Sequence, residues 1–155
     1  MGESNPIPLA RLMAMAFRYL IDQLHERLAQ HGYRDIPPTF GYVLVAIREA
    51  PATSRDLAKN LGVTKQAASK IIEAMEHDGY VKRLEHPDDG RASLVALTRK
   101  GRNFLALVED IYRDIETEWA AITGKERMES MREDIRRVME CTHGGSLPQI
   151  RVGPG

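Results

Sequence analysis

The sequence predicts a mainly α-helical fold of the α+β class, with one small β-hairpin. Three observations support this prediction. Two short amphipathic segments, joined by a tight Leu61-Gly62-Val63 connection, lie in the middle of the chain. Two β-rich runs follow them, at 81–85 and 93–97, and a polar loop joins the runs. On both sides of this middle part, apolar residues recur every three or four positions, which predicts long amphipathic helices at both ends of the chain.

The two middle segments have the spacing of a helix-turn-helix. Their small and apolar positions are Leu57, Ala58, Leu61, Val63, Ala68 and Ile71. The tight connection requires a residue that tolerates positive φ, and Gly62 provides it. We expect Thr64 to cap the second helix and this helix to end near His77, because Gly79 follows.

The first helix of the pair is expected to begin at a cap formed by Thr53 or Ser54. Asp56 is placed to complete a capping box. Ser54 and Arg55 lie where a first helix of this motif meets the DNA backbone. For Ser54, simple capping is the preferred alternative.

Polar side chains that can bind bases and phosphates occupy the start of the second helix, namely Lys65, Gln66, Ser69 and Lys70, beside the small Ala67. Gln pairs with adenine through two hydrogen bonds, Lys reaches guanine acceptors, and Ala can contact a thymine methyl group. These residues are therefore candidate base-reading positions. The alternative is an ordinary solvated helix face.

A helix-turn-helix followed by a hairpin is a winged helix. Arg91 ends the hairpin loop, where an exposed guanidinium can bind an adjacent minor groove or a phosphate. We expect Asp89 to hold Arg91 through a charge-assisted hydrogen bond. The alternative for this pair is a surface ion pair that contributes little.

The hairpin and its surroundings resemble the MarR family of bacterial transcriptional regulators. The run PDDGRASLVALT at 87–98, followed by Gly101-Arg102, is similar to the family's wing and exit, and LGVTKQAASKIIEAMEHDGYVKR is similar to its recognition helix and first wing strand. The resemblance extends in order and length from Leu9 to Glu140. It implies a homodimer that binds double-stranded DNA at a pseudo-palindromic operator, as a repressor released by a small-molecule effector or an oxidant.

By this resemblance, Asp89 and Arg91 match the Asp-x-Arg pair of the wing. Gly90 departs from the pattern, because many members carry a basic residue there, and its presence makes the wing tip less positive. The complete set of predicted DNA-binding residues is Ser54, Arg55, Thr64, Lys65, Gln66, Ala67, Ser69, Lys70, Arg83, Asp89 and Arg91.

The predicted helices at the N- and C-terminal ends of the chain carry longer apolar stripes than a compact winged helix can cover. We therefore expect them to form a dimer interface, the alternative being a monomeric helical bundle. A capping box is expected at Thr123-Gly124-Lys125-Glu126, where the last helix begins. The predicted organisation is a flexible arm at 1–8, an N-terminal dimerisation helix at 9–37, a winged helix-turn-helix DNA-binding domain at 38–101, C-terminal dimerisation helices at 102–141 and a flexible tail at 142–155.

Charge and cysteine content set further bounds. The chain has 22 basic and 22 acidic residues, but residues 38–101 hold ten basic and eight acidic ones, a mild excess of +2 in the predicted DNA-binding part. The lone Cys141 excludes an intrachain disulfide framework and fits a reducing compartment. With no membrane-length apolar run and no leader-like N-terminus, we expect a soluble, cytoplasmic protein that binds no membrane.

The sequence predicts no catalytic residues, no metal site and no cofactor, because it contains no phosphate loop, no nucleophile motif and no cysteine pair. His25 and His31 could form a zinc site with acidic neighbours, but surface histidines are the preferred interpretation. The candidate effector-binding residues are Met13, Phe17, Tyr42 and Tyr112, for each of which plain core is the alternative. Rival functions are a winged-helix protein-protein interaction module without operator binding and a small helical enzyme.

Overall fold

The computed structural model describes residues 6–152, and within them it has six helices and one three-stranded antiparallel sheet. The elements in chain order are α1 Leu9–Gln30, α2 Pro38–Ala46, β1 Ala52–Thr53, α3 Ser54–Leu61, α4 Lys65–His77, β2 Val81–Glu85, β3 Ser93–Leu97, α5 Arg99–Thr123 and α6 Lys125–Thr142. The predicted fold class is confirmed. Residues 1–5 of the expected arm and 153–155 of the expected tail lie outside the described residues.

The sheet has the strand order β1-β3-β2. β2 and β3 form the predicted hairpin, in a register that pairs Val81 with Leu97 and Glu85 with Ser93. β1 pairs Ala52 with Val95 and was not predicted, because a two-residue strand is too short to show a periodic pattern. We call the part from α2 to β3 the winged unit.

A closed core lies where α2, α3, α4, the hairpin and α5 meet. Leu44, Ile72 and Phe104 are at most 1% exposed. The sequence pattern assigned Ile71 to the core face of α4, but the structure buries Ile72 there and leaves Ile71 half-buried. The aromatic rings of Tyr33 and Tyr80 pack edge-on against Phe104, with ring centroids 4.9 and 5.2 Å away.

The start of α5 is joined closely to the start of β2. Thr98 caps α5: its hydroxyl oxygen accepts the Gly101 N–H at 3.0 Å and donates to the Gly79 carbonyl at 2.6 Å. Gly101 lies so close to the hairpin that a Cβ atom there would sit 2.1 Å from the Tyr80 carbonyl oxygen. The wing and α5 therefore meet through backbone contacts.

α1 and α6, here called the outer helices, pack on α5 and leave much apolar surface exposed. α1 buries only Leu24 and Leu28, and α6 buries only Met128. Arg27 of α1 donates to Glu118 of α5 at 2.8 Å, and Arg132 of α6 donates to Glu116 at 2.7 Å. The exposed apolar side chains on these two helices are Leu9, Leu12, Met13, Met15, Phe17, Tyr19, Met131, Ile135 and Val138.

The corner between α5 and α6 differs from the prediction. α6 begins at Lys125 as expected, but its N-cap is Gly124 with φ of 94°, and no side chain caps the helix. Thr123 stays in the last turn of α5, where its hydroxyl donates to the Trp119 carbonyl at 3.1 Å. The predicted capping box at this corner is therefore wrong, because the threonine hydroxyl bonds backwards within its own helix.

Candidate nucleic-acid interface

The helix-turn-helix has the predicted turn and caps. Gly62 lies in the left-handed region with φ of 67° and ends α3, while the Val63 N–H donates to the Ala58 carbonyl at 3.1 Å. This bond pattern closes the carbonyl end of α3 and fixes the angle at which α4 leaves it. At the start of α3, the Thr53 hydroxyl oxygen accepts the Asp56 N–H at 3.1 Å, so Thr53 is the cap, and Ser54 is the first helical residue.

The start of α4 presents the predicted base-reading residues to solvent. The Thr64 hydroxyl oxygen accepts the Ala67 N–H at 3.1 Å and thereby caps the helix. Lys65, Gln66 and Lys70 are exposed, and Ala67 and Ser69 are half-buried. In residues 6–152 no side-chain hydrogen bond engages Lys65, Gln66, Ser69 or Lys70, so their polar groups face water.

The opposite face of α4 belongs to the core. Ala68, Ile72 and Met75 are at most 1% exposed. Their spacing of four and three residues holds α4 against α3 and the hairpin through one continuous apolar side. The start of α4 is therefore presented by a rigid support, as a recognition helix requires.

Arg55 and Ser54 lie on the first turn of α3. Arg55 is exposed and Ser54 half-buried. The hydroxyl of Thr53 donates to the carboxylate of Asp56 at 2.7 Å, so this acidic group is already engaged within the helix start. Arg55 is thus an available cation in the first turn of α3, in the place expected for a contact with the DNA backbone.

The wing tip differs in one detail from the prediction. Asp89 accepts the backbone N–H of Arg91 at 2.9 Å, and its carbonyl accepts the Ala92 N–H at 3.1 Å. No acidic side chain of the described residues lies within ion-pair distance of the Arg91 guanidinium. Asp89 therefore shapes the turn through the backbone, and the expected charge-assisted bond to the Arg91 side chain does not form. The guanidinium is exposed and available.

Arg83 has a structural partner that the sequence did not reveal. Its Nε donates to the Glu76 carboxylate of α4 at 3.1 Å, and its guanidinium also donates to the Ser93 hydroxyl at 3.2 Å. Arg83 thus ties the wing to the helix that carries Lys65 and Gln66. The hairpin register places Arg83 near Ser93, so this contact could be predicted once the strand pairing is known. The contact with Glu76 could not be predicted, because α4 and β2 meet only in the tertiary fold.

An apolar cavity of about 260 Å³ lies between α1, α2 and α5. Phe17, Tyr42 and Tyr112 line it, whereas Met13, the fourth predicted effector residue, does not. Burial raises the pKa of the Tyr112 hydroxyl, and the neighbouring Tyr42 raises it further, so the hydroxyl stays protonated and can donate to a ligand. The other wall residues are mainly aliphatic and include Ile21, Leu24, Leu105 and Val108.

Residues 6–152 contain neither a candidate metal site nor a candidate membrane-spanning helix. No three His, Cys, Asp or Glu side chains are grouped there in a way that could hold a metal ion. None of the described helices combines the length and the apolar character needed to cross a membrane.

Comparison with known proteins gives consistent similarities. Residues 34–92 match the profile of the MarR family. The chain is 35% identical over 98 residues to the multiple antibiotic resistance protein MarR of Salmonella typhimurium, an alignment that covers 61% of this chain and 65% of the relative. It is 30% identical over 98 residues to the exopolysaccharide II synthesis transcriptional activator ExpG of Rhizobium meliloti, covering 63% of this chain and 50% of the relative.

A solved structure is similar over most of its length. A mutant MarR from E. coli, complexed with operator DNA, superimposes with a TM-score of 0.66 and 27% sequence identity. The superposition covers 86% of this chain and 94% of that one. The similarity therefore includes the outer helices as well as the winged unit.

Proposed function

We propose that this chain, which belongs to the MarR family, binds double-stranded DNA sequence-specifically as a homodimer and represses transcription from a pseudo-palindromic operator. The observation that carries the proposal is the exposed start of α4. Lys65, Gln66 and Lys70 have no partner among the described residues, although the opposite face of the same helix is packed in the core. Rigid presentation of hydrogen-bonding groups is what base reading in a major groove requires.

The wing adds a second contact. The exposed Arg91 at its tip extends the DNA-binding surface towards an adjacent minor groove or phosphate. Arg83, predicted from the sequence to bind DNA, is held by Glu76 and Ser93, so we assign it a positioning role between wing and helix. Phosphate contacts by Arg55 and Arg91 would fix the register in which Gln66 meets a base.

A homodimer accounts for the exposed apolar side chains on the outer helices. Leu9, Phe17 and Val138 are each more than half exposed, and they belong to two helices that both pack on α5. Apolar patches of this kind mark interfaces. If two-fold pairing through these helices spaced the two copies of α4 about 34 Å apart, they would meet successive major-groove faces on one side of the DNA.

The apolar cavity supports release by a small, largely apolar effector. Its wall includes Phe17 of α1 and Tyr42 of α2, so a ligand there would touch both an outer helix and the winged unit. Such a ligand acts only if it binds the DNA-competent and DNA-incompetent dimers with different affinity. An effector screen with operator DNA as the probe tests this part separately.

The test is selection of binding sites from a pool of random duplexes at two salt concentrations, with the mass of the complex measured by light scattering. We expect a pseudo-palindromic site bound by one dimer, with affinity that falls steeply with salt. Gln66→Ala should change the base preference at one position per half-site by about 1–3 kcal/mol. Placing the recovered site at a promoter and measuring transcript levels with and without the protein then tests repression.

Recovery of a monomer, or of a dimer that enriches no sequence at low salt, would refute operator binding. The winged unit would then serve as a protein-protein interaction module. A uniform loss of affinity in Gln66→Ala would make Gln66 a backbone contact. An unchanged titration in Arg91→Ala would remove the wing tip from the mechanism.

A further inference from the structure

The C-terminal segment 147–152, here called the strap, lies across the winged unit. Pro148, Gln149 and Ile150 line a cavity of about 200 Å³ whose opposite wall includes Asn60 and Leu61 of α3. Ile150 also lines the larger apolar cavity between α1, α2 and α5. The sequence predicted flexibility from residue 142 onwards, and that domain assignment stays a prediction, but these contacts give the end of the segment a defined course.

The strap is anchored at the helix-turn-helix turn. The Val152 N–H donates to the Leu61 carbonyl at 3.0 Å, and the Val152 side chain packs, partly buried, against the core. Leu61 is the last residue of α3, so its carbonyl has no partner within the helix. The strap therefore satisfies a backbone group that the winged unit leaves open.

The anchor places Arg151 on the same turn. Its Cβ, Cγ and Cδ atoms lie 3.4–3.5 Å from the position that a Cβ atom would take at Gly62. The aliphatic stem of Arg151 thus covers the turn, and the residue as a whole is exposed. Within residues 6–152, no carboxylate lies within ion-pair distance of its guanidinium.

Gly62 comes two residues before Thr64, the cap of the helix that carries Lys65 and Gln66. The strap therefore adds a cation from the far end of the chain to the neighbourhood of the predicted base-reading residues. A guanidinium binds phosphate through two parallel hydrogen bonds, and an anchored stem reduces the conformational entropy lost on binding.

We propose that Arg151 is a DNA-contacting residue that binds a backbone phosphate beside the major groove entered by α4, and that the strap exists to position it. This inference rests on the proposed function and adds a contact to it. Each phosphate neutralised on duplex DNA contributes about 0.9 to the slope of log affinity against log salt concentration. Arg151 in both subunits thus accounts for about 2 of that slope in the dimer.

The test uses the full chain and the operator recovered from the random pool. Arg151→Ala should weaken binding several-fold at low salt and lower the salt slope by about 2. Arg151→Lys should keep most of the slope, because it keeps the charge. Val152→Pro removes the N–H that anchors the strap but keeps the Arg151 side chain, so Arg151 should lose its position and binding should weaken as in Arg151→Ala.

Two control variants separate the contact from general charge and tail effects. Leu147→Ala alters an exposed residue of the strap outside both cavity walls, and Arg34→Ala removes an exposed cation in the loop between α1 and α2. Both should keep the wild-type affinity and slope. Circular dichroism and thermal melting of each variant check that the fold is unchanged.

A wild-type affinity and slope in Arg151→Ala, in a protein whose binding Arg91→Ala weakens, would overturn the inference while the proposed function stands. Weakening by Arg151→Ala but not by Val152→Pro would overturn the role of the strap. Failure of the wild-type chain to bind any duplex would instead refute the proposed function itself, and with it this extension.

Discussion

The winged unit and the outer helices differ in how far one chain completes them. In the winged unit and the adjoining face of α5, residues such as Leu44 and Phe104 are almost wholly buried, and every helix from α3 to α5 begins with a threonine cap. On the outer helices, Leu9 is 70% exposed, and neither helix has a side-chain cap. The first region buries most of its apolar side chains within one chain, whereas the second leaves apolar side chains exposed, where the proposed dimer interface would cover them.

This difference separates two sources of stability. The winged unit should resist unfolding through its own packing, whatever the protein concentration. The outer helices should gain stability through association, which makes their contribution depend on concentration. A change in the apolar cavity between α1, α2 and α5, whose wall includes residues of both regions, should then alter the proposed dimer without disrupting the proposed DNA-binding surface.

The largest expected effect is that of Phe104→Ala. Phe104 is 1% exposed and contacts the rings of Tyr33 and Tyr80, so its truncation should lower the free energy of unfolding by about 3–5 kcal/mol. Denaturant titration measures the loss. Phe17→Ala, the same chemical change at an exposed position of α1, is the matched control.

The dependence of each loss of unfolding free energy on protein concentration tests whether the two regions differ in this way. The loss in Phe104→Ala should stay the same when the protein is strongly diluted, whereas any loss in Phe17→Ala should vary with dilution. A concentration-independent loss of equal size in both variants would show that the part of α1 around Phe17 belongs to the same closed core.

A smaller effect is expected for Leu12→Glu, which puts a charge on the apolar side of α1. Leu12 is exposed in the single chain, so the fold of the chain should remain, but burying the carboxylate in a dimer should weaken association by about 2–4 kcal/mol. Sedimentation equilibrium measures the dissociation constant. Ala14→Glu, with the same change of charge on the side of α1 that carries Arg18, should leave it nearly unchanged.

Thr64→Ala addresses the winged unit alone. The Thr64 hydroxyl caps the N-terminal end of α4, and its removal should cost about 1 kcal/mol of stability and weaken DNA binding by loosening the first turn. Thr64→Ser keeps the hydroxyl and should restore both properties. Equal melting temperatures for the alanine and serine variants would show that the cap contributes nothing measurable.

The smallest effect is expected for Arg18→Ala. Arg18 forms an i,i+4 ion pair with Asp22 on α1 at 3.2 Å, with both side chains mostly exposed. Such pairs contribute only about 0.3–0.5 kcal/mol and are screened by salt. Thermal melting at low and high salt should differ little between this variant and wild type. A loss of unfolding free energy above about 1 kcal/mol, the upper end for exposed ion pairs, would mean that charge interactions contribute more than apolar contacts to the stability of the outer helices.

The sequence predicted most of the winged unit because its signals are local. The threonine caps, the left-handed Gly62 and the two β-rich runs of the hairpin are each set by residues within a few positions along the chain, and the structure confirms them. The predicted capping box at Thr123–Glu126 was wrong because the Thr123 hydroxyl donates to the carbonyls of Trp119 and Gly124. Sequence spacing alone does not show which local group this hydroxyl will bond.

Contacts between different elements of the fold were the part that the sequence could not predict. The Arg83–Glu76 pair joins a strand to a helix seven residues earlier, and Val152 at the end of the described chain meets Leu61 in its middle. Neither contact produces a periodic pattern of residues in the sequence. The exposure of Arg91 was predicted, but its separation from the Asp89 carboxylate depends on the turn geometry of the wing tip.

The joint between Gly101 and the Tyr80 carbonyl has a mechanical consequence. α5 has 25 residues, so it is a rod about 37 Å long that is clamped to the wing at one end and reaches the outer helices at the other. A tilt of about 5° at one end of such a rod moves the other by about 3 Å. Because the backbones of Gly101 and Tyr80 are in close contact, α5 and the wing should move together. A tilt of α5 would therefore couple the wing to the outer helices.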